Sequence, residues 1–211
     1  MRSSSEFIAL LKQYQILQFG QFTLKSGRQS PYFFNAGRFD QGLLIYELGR
    51  QYAKTIVDSQ LEFDLLFGPA YKGIPLVIAT VIALQTDHNR NVPYCFNRKE
   101  AKTHGEGGQL VGAPLQGRVL IVDDVMTAGT AIRESMTLIE QHKAQLAGVC
   151  VALDRQEKGP AGQSAVQTIQ QEYDTQVMSL LSLDDLIDYL ATIDDTEVQT
   201  QILNYRKQYG V

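Results

Sequence analysis

The sequence predicts an α/β fold with a central, mostly parallel sheet flanked by helices, and three observations carry that prediction. From residue 63 onward, short apolar runs alternate with helical patterns, the order expected of strand–helix–strand units. One run, Val119–Val122, ends in two adjacent carboxylates, Asp123 and Asp124, followed by small and hydroxyl residues up to Ala131. Polar segments at 68–73, 123–131 and 154–155 each close an apolar run. In open parallel sheets, ligands bind beyond the carboxyl ends of the strands.

The elements follow in order. Ser3-Ser4-Ser5-Glu6 fits a capping box, with Phe7, Ile8, Leu10, Leu11 and Tyr14 at helical spacing and Gly20 as the helix end. Residues 21–36 read as a small irregular hairpin around Ser26-Gly27. Helices are predicted over 43–57, 74–84 and 132–142, after Ser182, and over 196–207. Strands are predicted over 63–67, 92–97, 109–111, 119–122, 146–153 and 176–181, with 98–108 as a loop of cations and glycines. No repeat or long linker interrupts the chain, so residues 1–211 are expected to form one domain. Its core spans roughly 60–180, and a hood comes from residues 1–40 plus part of the C-terminal region.

The 211 residues carry 44% hydrophobic side chains and a net charge of −4, enough for one buried core and no basic face for nucleic acid. Cys95 and Cys150 sit among apolar residues and are expected as buried thiols in a reducing cytoplasm. The N-terminus lacks the pattern of a signal peptide, and the apolar stretch 74–84 is too short for a membrane span.

The chemistry concentrates at 119–131. A strand, a turn and a helix N-terminus offer backbone N–H groups and a helix dipole to a phosphate. Carboxylates beside that cup need a different task, and sugar hydroxyls or a divalent cation supply one. The segment thus suits a phosphorylated sugar. No nucleotide-binding glycine motif of the G-x-G-x-x-G or G-x-x-x-x-G-K-[ST] type occurs at the required positions. A second segment, Arg98-Lys99-Glu100-Ala101-Lys102-Thr103-His104-Gly105-Glu106-Gly107-Gly108, joins cations to glycines. Such a loop can neutralise a polyanionic leaving group and close over it.

The 119–131 pattern is similar to that of the type I phosphoribosyltransferases, and the resemblance extends from about residue 20 onward. It implies that Asp123 and Asp124 hold the ribose hydroxyls of phosphoribosyl pyrophosphate (PRPP). Val125, Met126, Thr127, Ala128, Gly129, Thr130 and Ala131 would form the 5-phosphate loop. Within the family, the loop Arg98-Lys99-x-x-Lys102-x-His104-Gly-Glu-Gly-Gly and the stretch T-L-K-S-G-x-x-S-P-x-F-F-N resemble the orotate-using members. That resemblance implies Lys25, Tyr71, Lys72, Arg98, Lys99, Lys102 and His104 at the pyrophosphate, with Lys102 and His104 acting across a homodimer. Phe33 and Phe34 would flank orotate, with Thr127 near the base and Arg155 on the orotate carboxylate. An Arg fork suits an acidic pyrimidine better than a neutral purine. Mg²⁺ would be held mainly through PRPP rather than by protein ligands.

The implied product is orotidine 5′-monophosphate, with pyrophosphate released. The length predicts a form without a fused decarboxylase barrel, which alone needs about 250 residues. A purine- or uracil-using relative would share the PRPP loop but not the hood or Arg155. A non-catalytic PRPP sensor would be expected to lose the loop cations or to add a DNA-binding appendage.

Overall fold

The computed structural model describes residues 2–24, 26–102, 108–126 and 129–211. The chain opens with α1 (Ser4–Gln13), whose N-cap Ser3 and Glu6 exchange hydrogen bonds in the expected capping box. The helix stops seven residues before Gly20. That glycine lies instead inside β1 (Leu17–Thr23), which pairs antiparallel with β2 (Gln29–Phe34). A register shift between Phe19 and Phe22 brackets Gly20, whose φ of 151° makes it the flexible point of a bulged strand. A short 3-10 turn (Ala36–Arg38) leads into α2 (Gly42–Asp58).

The main sheet then assembles. β3 (Leu65–Gly68) is followed by α3 (Gly73–His88), β4 (Tyr94–Lys102), β5 (Gly108–Gly112) and β6 (Arg118–Val125). Next come α4 (Thr130–Gln141), β7 (Gln145–Asp154), α5 (Ala165–Tyr173) and β8 (Gln176–Ser182). Helices α6 (Leu183–Thr192) and α7 (Thr196–Tyr209) complete the chain. The strand order is β5-β4-β3-β6-β7-β8, parallel throughout except for the β4–β5 pair.

Two expectations change here. Residues 98–102 belong to β4 rather than to a loop, although the β4–β5 register breaks between Asn97 and Lys102. The acidic pair lies within β6 rather than past its end, because the ladder to β7 continues through Asp123↔Val151 to Val125↔Leu153. Helix α5 has no counterpart in the sequence reading. Its signal was the capping box Ser164…Gln167, weakened because only Val166 and Ile169 of the helix are buried.

Strand β6 divides its side chains between two apolar layers. Leu120 and Val122 join the layer under α1, α2, α3 and the hood. Val119 and Ile121 join the layer under α4 and α5. This alternation is the period-2 geometry of a strand buried on both faces. The first layer is continuous from Phe7 and Tyr32 of the hood to Ile202 and Tyr205 of α7, so the N- and C-terminal elements pack as one cap. Cys95 and Cys150 fall in different layers, both buried and unpaired. Among the described residues, no helix is long and apolar enough to cross a membrane.

Candidate active site

The crevice follows from the topology. β3 and β6 are neighbours, yet the chain leaves β3 for β4 on one side and resumes at β6 on the other. The loops that follow them therefore diverge and leave a gap at the carboxyl edge of the sheet. The turn at 68–73 forms one wall and the end of β6 the other.

Glycine is required at the first wall. A Cβ on Gly68 would lie 2.3 Å from the carbonyl oxygen of Gly73, and one on Gly73 would lie 2.6 Å from Pro69 Cδ. Only with both side chains absent does the turn close this tightly. The Ala70–Tyr71 peptide within it is cis. Asn97 Oδ1 on β4 accepts a hydrogen bond from the Ala70 amide at 2.8 Å, tying the turn to the adjacent strand. Tyr71 projects outward, 67% exposed. Lys72 reaches back over the gap, its Nζ 2.6 Å from Asp124 Oδ2. Lys99 Nζ lies 5.6 Å from the centre of the Tyr71 ring. Because β3 ends opposite Phe96, residues 97–102 of β4 run beyond the end of β3 and, among the described residues, pair only with β5.

The second wall carries the acids. Burial and the neighbouring Asp124 push the Asp123 carboxyl up to about 7. Its backbone oxygen accepts a hydrogen bond from Tyr52 Oη at 2.7 Å, which anchors the strand end to α2. Beyond Val125, Met126 turns its side chain into the layer under α4, so only its backbone faces the loop. Gly129 caps α4 with φ +73°, and α4 starts without a side-chain cap among the described residues. By contrast, α1, α5 and α6 all begin with complete capping boxes. Among the described residues, α4 thus starts without a side-chain acceptor for its first-turn N–H groups, as α2 and α3 also do, and such a helix start suits an anion.

Between the walls lies a cleft of about 250 Å³, bordered by Phe39, Leu48, Tyr52, Tyr71, Lys72 and Asp124. The hood contributes β2, where Phe33 and Phe34 separate. Phe33 is 36% exposed and stacks on Phe22 with ring centres 5.5 Å apart. Phe34 is buried against Phe39 in the first apolar layer. Adjacent strand residues face opposite ways, so the two rings do not share one face of β2, and of the pair only Phe33 leaves its ring exposed.

Arg155, just past β7, is also more enclosed than expected. It donates to Glu157 through Nε at 2.7 Å and to Ser30 Oγ through Nη2 at 3.1 Å. Arg98 Nη1 reaches the Gly108 carbonyl at 3.4 Å. Lys25, His104, Thr127, Ala128 and the side chain of Lys102 lie outside the described residues. Tyr52 and Asn97 act through contacts far apart in sequence that no local pattern marks, and Glu157 meets Arg155 two residues away but is tied down by the distant Tyr205 and Arg28.

Residues 35–181 match the family model described as a phosphoribosyl transferase domain. The chain is 56% identical over 207 residues to an orotate phosphoribosyltransferase of Alteromonas mediterranea, covering 98% of this chain and 97% of that one. The chain belongs to the orotate phosphoribosyltransferase family. A relative of the same name from Vibrio cholerae is 58% identical over the same share of each chain. The crystal structure of orotate phosphoribosyltransferase from Francisella tularensis superposes with a TM-score of 0.90 at 42% identity, covering 98% of this chain and 100% of that one. The expected type I phosphoribosyltransferase fold is therefore the fold observed, with β5 as its antiparallel edge.

Proposed function

We propose that the crevice performs the family's reaction in one displacement, and that the Lys72–Asp124 bridge between its walls carries this reading. The activity is that of a glycosyltransferase: orotate takes the ribose 5-phosphate group from PRPP, giving orotidine 5′-monophosphate and pyrophosphate. The bond from the anomeric carbon to pyrophosphate breaks, and pyrophosphate leaves with the electron pair. A ring nitrogen of anionic orotate supplies the new bond with inversion, so no covalent enzyme intermediate is needed.

The chain's own residues bind and orient. The N–H groups from Gly129 to Ala131, together with the backbone from Val125 to Ala128, receive the 5-phosphate. Asp123 and Asp124 accept from the ribose hydroxyls. Lys72 and the backbone at Tyr71 meet the pyrophosphate, joined by Lys25, Arg98, Lys99, Lys102 and His104. These cations stabilise charge as it develops on the leaving group. Phe33 presents a ring face to the pyrimidine, Thr127 lies near it, and Arg155 receives its carboxylate.

Among the described residues, no three carboxylate, imidazole or thiol groups gather as a metal cage. Mg²⁺ usually keeps most of its ligands as water and substrate phosphate, so it would be held mainly through PRPP, and when bound it would neutralise pyrophosphate charge. A homodimer with shared sites is supported by Leu43, Tyr46 and Ile82, all exposed on the packed pair α2 and α3. β4 outruns β3 and continues paired with β5, and Lys102 and His104 would reach a partner's crevice from that side. The continuous apolar layer supports one domain over 1–211, and two buried thiols suit a cytoplasmic enzyme. The decisive variant is Lys102→Ala: turnover of orotate with PRPP is expected to collapse, and near-normal turnover would remove the loop from the mechanism.

A further inference from the structure

We propose that Glu157 is a positioning residue for Arg155, and that the pair makes the base site selective for a pyrimidine bearing a carboxylate. This inference rests on the reading of Arg155 given above. Glu157 Oε1 takes the Nε–H of Arg155 at 2.7 Å and lies 2.6 Å from its Nη2. The same oxygen accepts from Tyr205 Oη at 2.8 Å. Nη2 also donates to Ser30 Oγ at 3.1 Å, and the guanidinium carbon sits 4.3 Å from the centre of the Tyr32 ring. One edge and one face of the guanidinium are thereby fixed. Tyr205 also interacts with the guanidinium, and the protein partners within 3.5 Å gather at Nε and Nη2, which leaves the Nη1 side for a ligand.

Charge points the same way. The Arg155 and Glu157 side chains are only 11% and 15% exposed. Arg28, on the hood, approaches Glu157 Oε2 at 3.4 Å. Two guanidinium groups thus share the Glu157 carboxylate, and the other nearby acid, Asp154, is spent on the Gln156 amide rather than on Arg155. Buried charge needs a partner. A ligand carboxylate arriving at Nη1 pairs with a guanidinium N–H edge that a neutral pyrimidine meets less well. Selectivity of this kind comes from the unfilled polar site as much as from the new contact.

Glu157 does not itself drift toward the ligand, because the C-terminal segment holds it. Lys158 N donates to the Tyr209 carbonyl at 2.7 Å, Val211 N donates to the Gln156 carbonyl at 3.0 Å, and Arg28 Nη2 donates to the Lys158 carbonyl at 2.7 Å. The end of α7 is therefore part of the support for the base site, through Glu157 and Tyr205.

The test is steady-state kinetics on the full chain with PRPP and Mg²⁺, comparing wild type with Glu157→Gln, Tyr205→Phe and Arg155→Ala. Glu157→Gln is expected to raise the KM for orotate about tenfold, the size of one charge-assisted hydrogen bond. The KM for PRPP and kcat should stay within about twofold, and the Ki of uracil should move less than the KM of orotate. Tyr205→Phe should shift the orotate KM in the same direction by about threefold, and it decides the matter if Glu157→Gln does not fold. An unchanged orotate KM in both variants, while Arg155→Ala raises it, overturns the proposal and leaves Arg155 in place. Equal losses toward orotate and PRPP also overturn it, since they mark a general structural role. An unchanged orotate KM in Arg155→Ala overturns both readings.

Discussion

Lys72 Nζ and Asp124 Oδ2 stand 2.6 Å apart and join the turn after β3 to the end of β6 across the crevice. Asp124 is mostly enclosed, while Lys72 is 63% exposed. An exposed cation on a flexible stem adds little to folding and is free to exchange its partner for a ligand phosphate. Lys72→Ala is therefore expected to shift unfolding free energy by no more than about 0.5 kcal/mol. Its kcat/KM for PRPP should drop by about a hundredfold, the scale of one lost transition-state contact. Paired thermal melts and initial rates check this, and a large loss of stability with activity retained would contradict it.

The raised carboxyl of Asp123 ties activity to pH. With burial and Asp124 pushing it up to about 7, much of the free enzyme near neutrality carries a protonated Asp123. Ribose hydroxyls donate to the ionised form, so kcat/KM for PRPP should rise with pH through about 7, and Asp123→Asn should lose that limb. Stability runs oppositely. Between the unfolded value of 3.8 and about 7 the folded chain binds more protons, so unfolding free energy falls as pH rises across that window. Denaturation midpoints measured at several pH values should fall more steeply in wild type than in Asp123→Asn.

Phe33 and Phe34 should behave differently despite being adjacent. Phe34 is buried in the first apolar layer, so Phe34→Ala should cost about 3 kcal/mol of stability. Phe33 is 36% exposed, so Phe33→Ala should leave the melting curve nearly unchanged and raise the KM for orotate by about tenfold. Chemical denaturation and orotate titration separate the two effects. A reversed pattern would place Phe34, not Phe33, at the ligand.

The contrast between these two rings shows what the sequence could and could not convey. The alternation of runs gave the parallel sheet, and the turn chemistry of 68–73 and 123–131 marked the crevice, because both are local patterns with a physical cause. Strand ends were less legible: two aspartates look like a turn, yet β7 beside β6 kept them in the ladder. Gly20 resembled a helix stop but serves a bulge. The support contacts, Tyr52 to Asp123, Asn97 to Ala70 and Tyr205 to Glu157, span separations that no local spacing reveals.

Gly68 offers a test of the crevice wall itself. An added Cβ would meet the backbone of Gly73 at 2.3 Å, and backbone cannot yield as a side-chain tip can. Gly68→Ala should destabilise the chain by about 1–3 kcal/mol and displace Tyr71 and Lys72. Affinity for PRPP, measured by calorimetry, should weaken by more than the fraction unfolded explains. Unaltered PRPP affinity would separate the turn from the binding site.

The central claim is that this crevice transfers ribose 5-phosphate from PRPP to an acidic pyrimidine. Pyrophosphate release, measured with PRPP and Mg²⁺ against orotate, uracil, adenine and hypoxanthine in parallel, tests it most directly. The account predicts rapid release with orotate and little or none with the three neutral bases. Comparable release with a neutral base, or none with orotate, would contradict it.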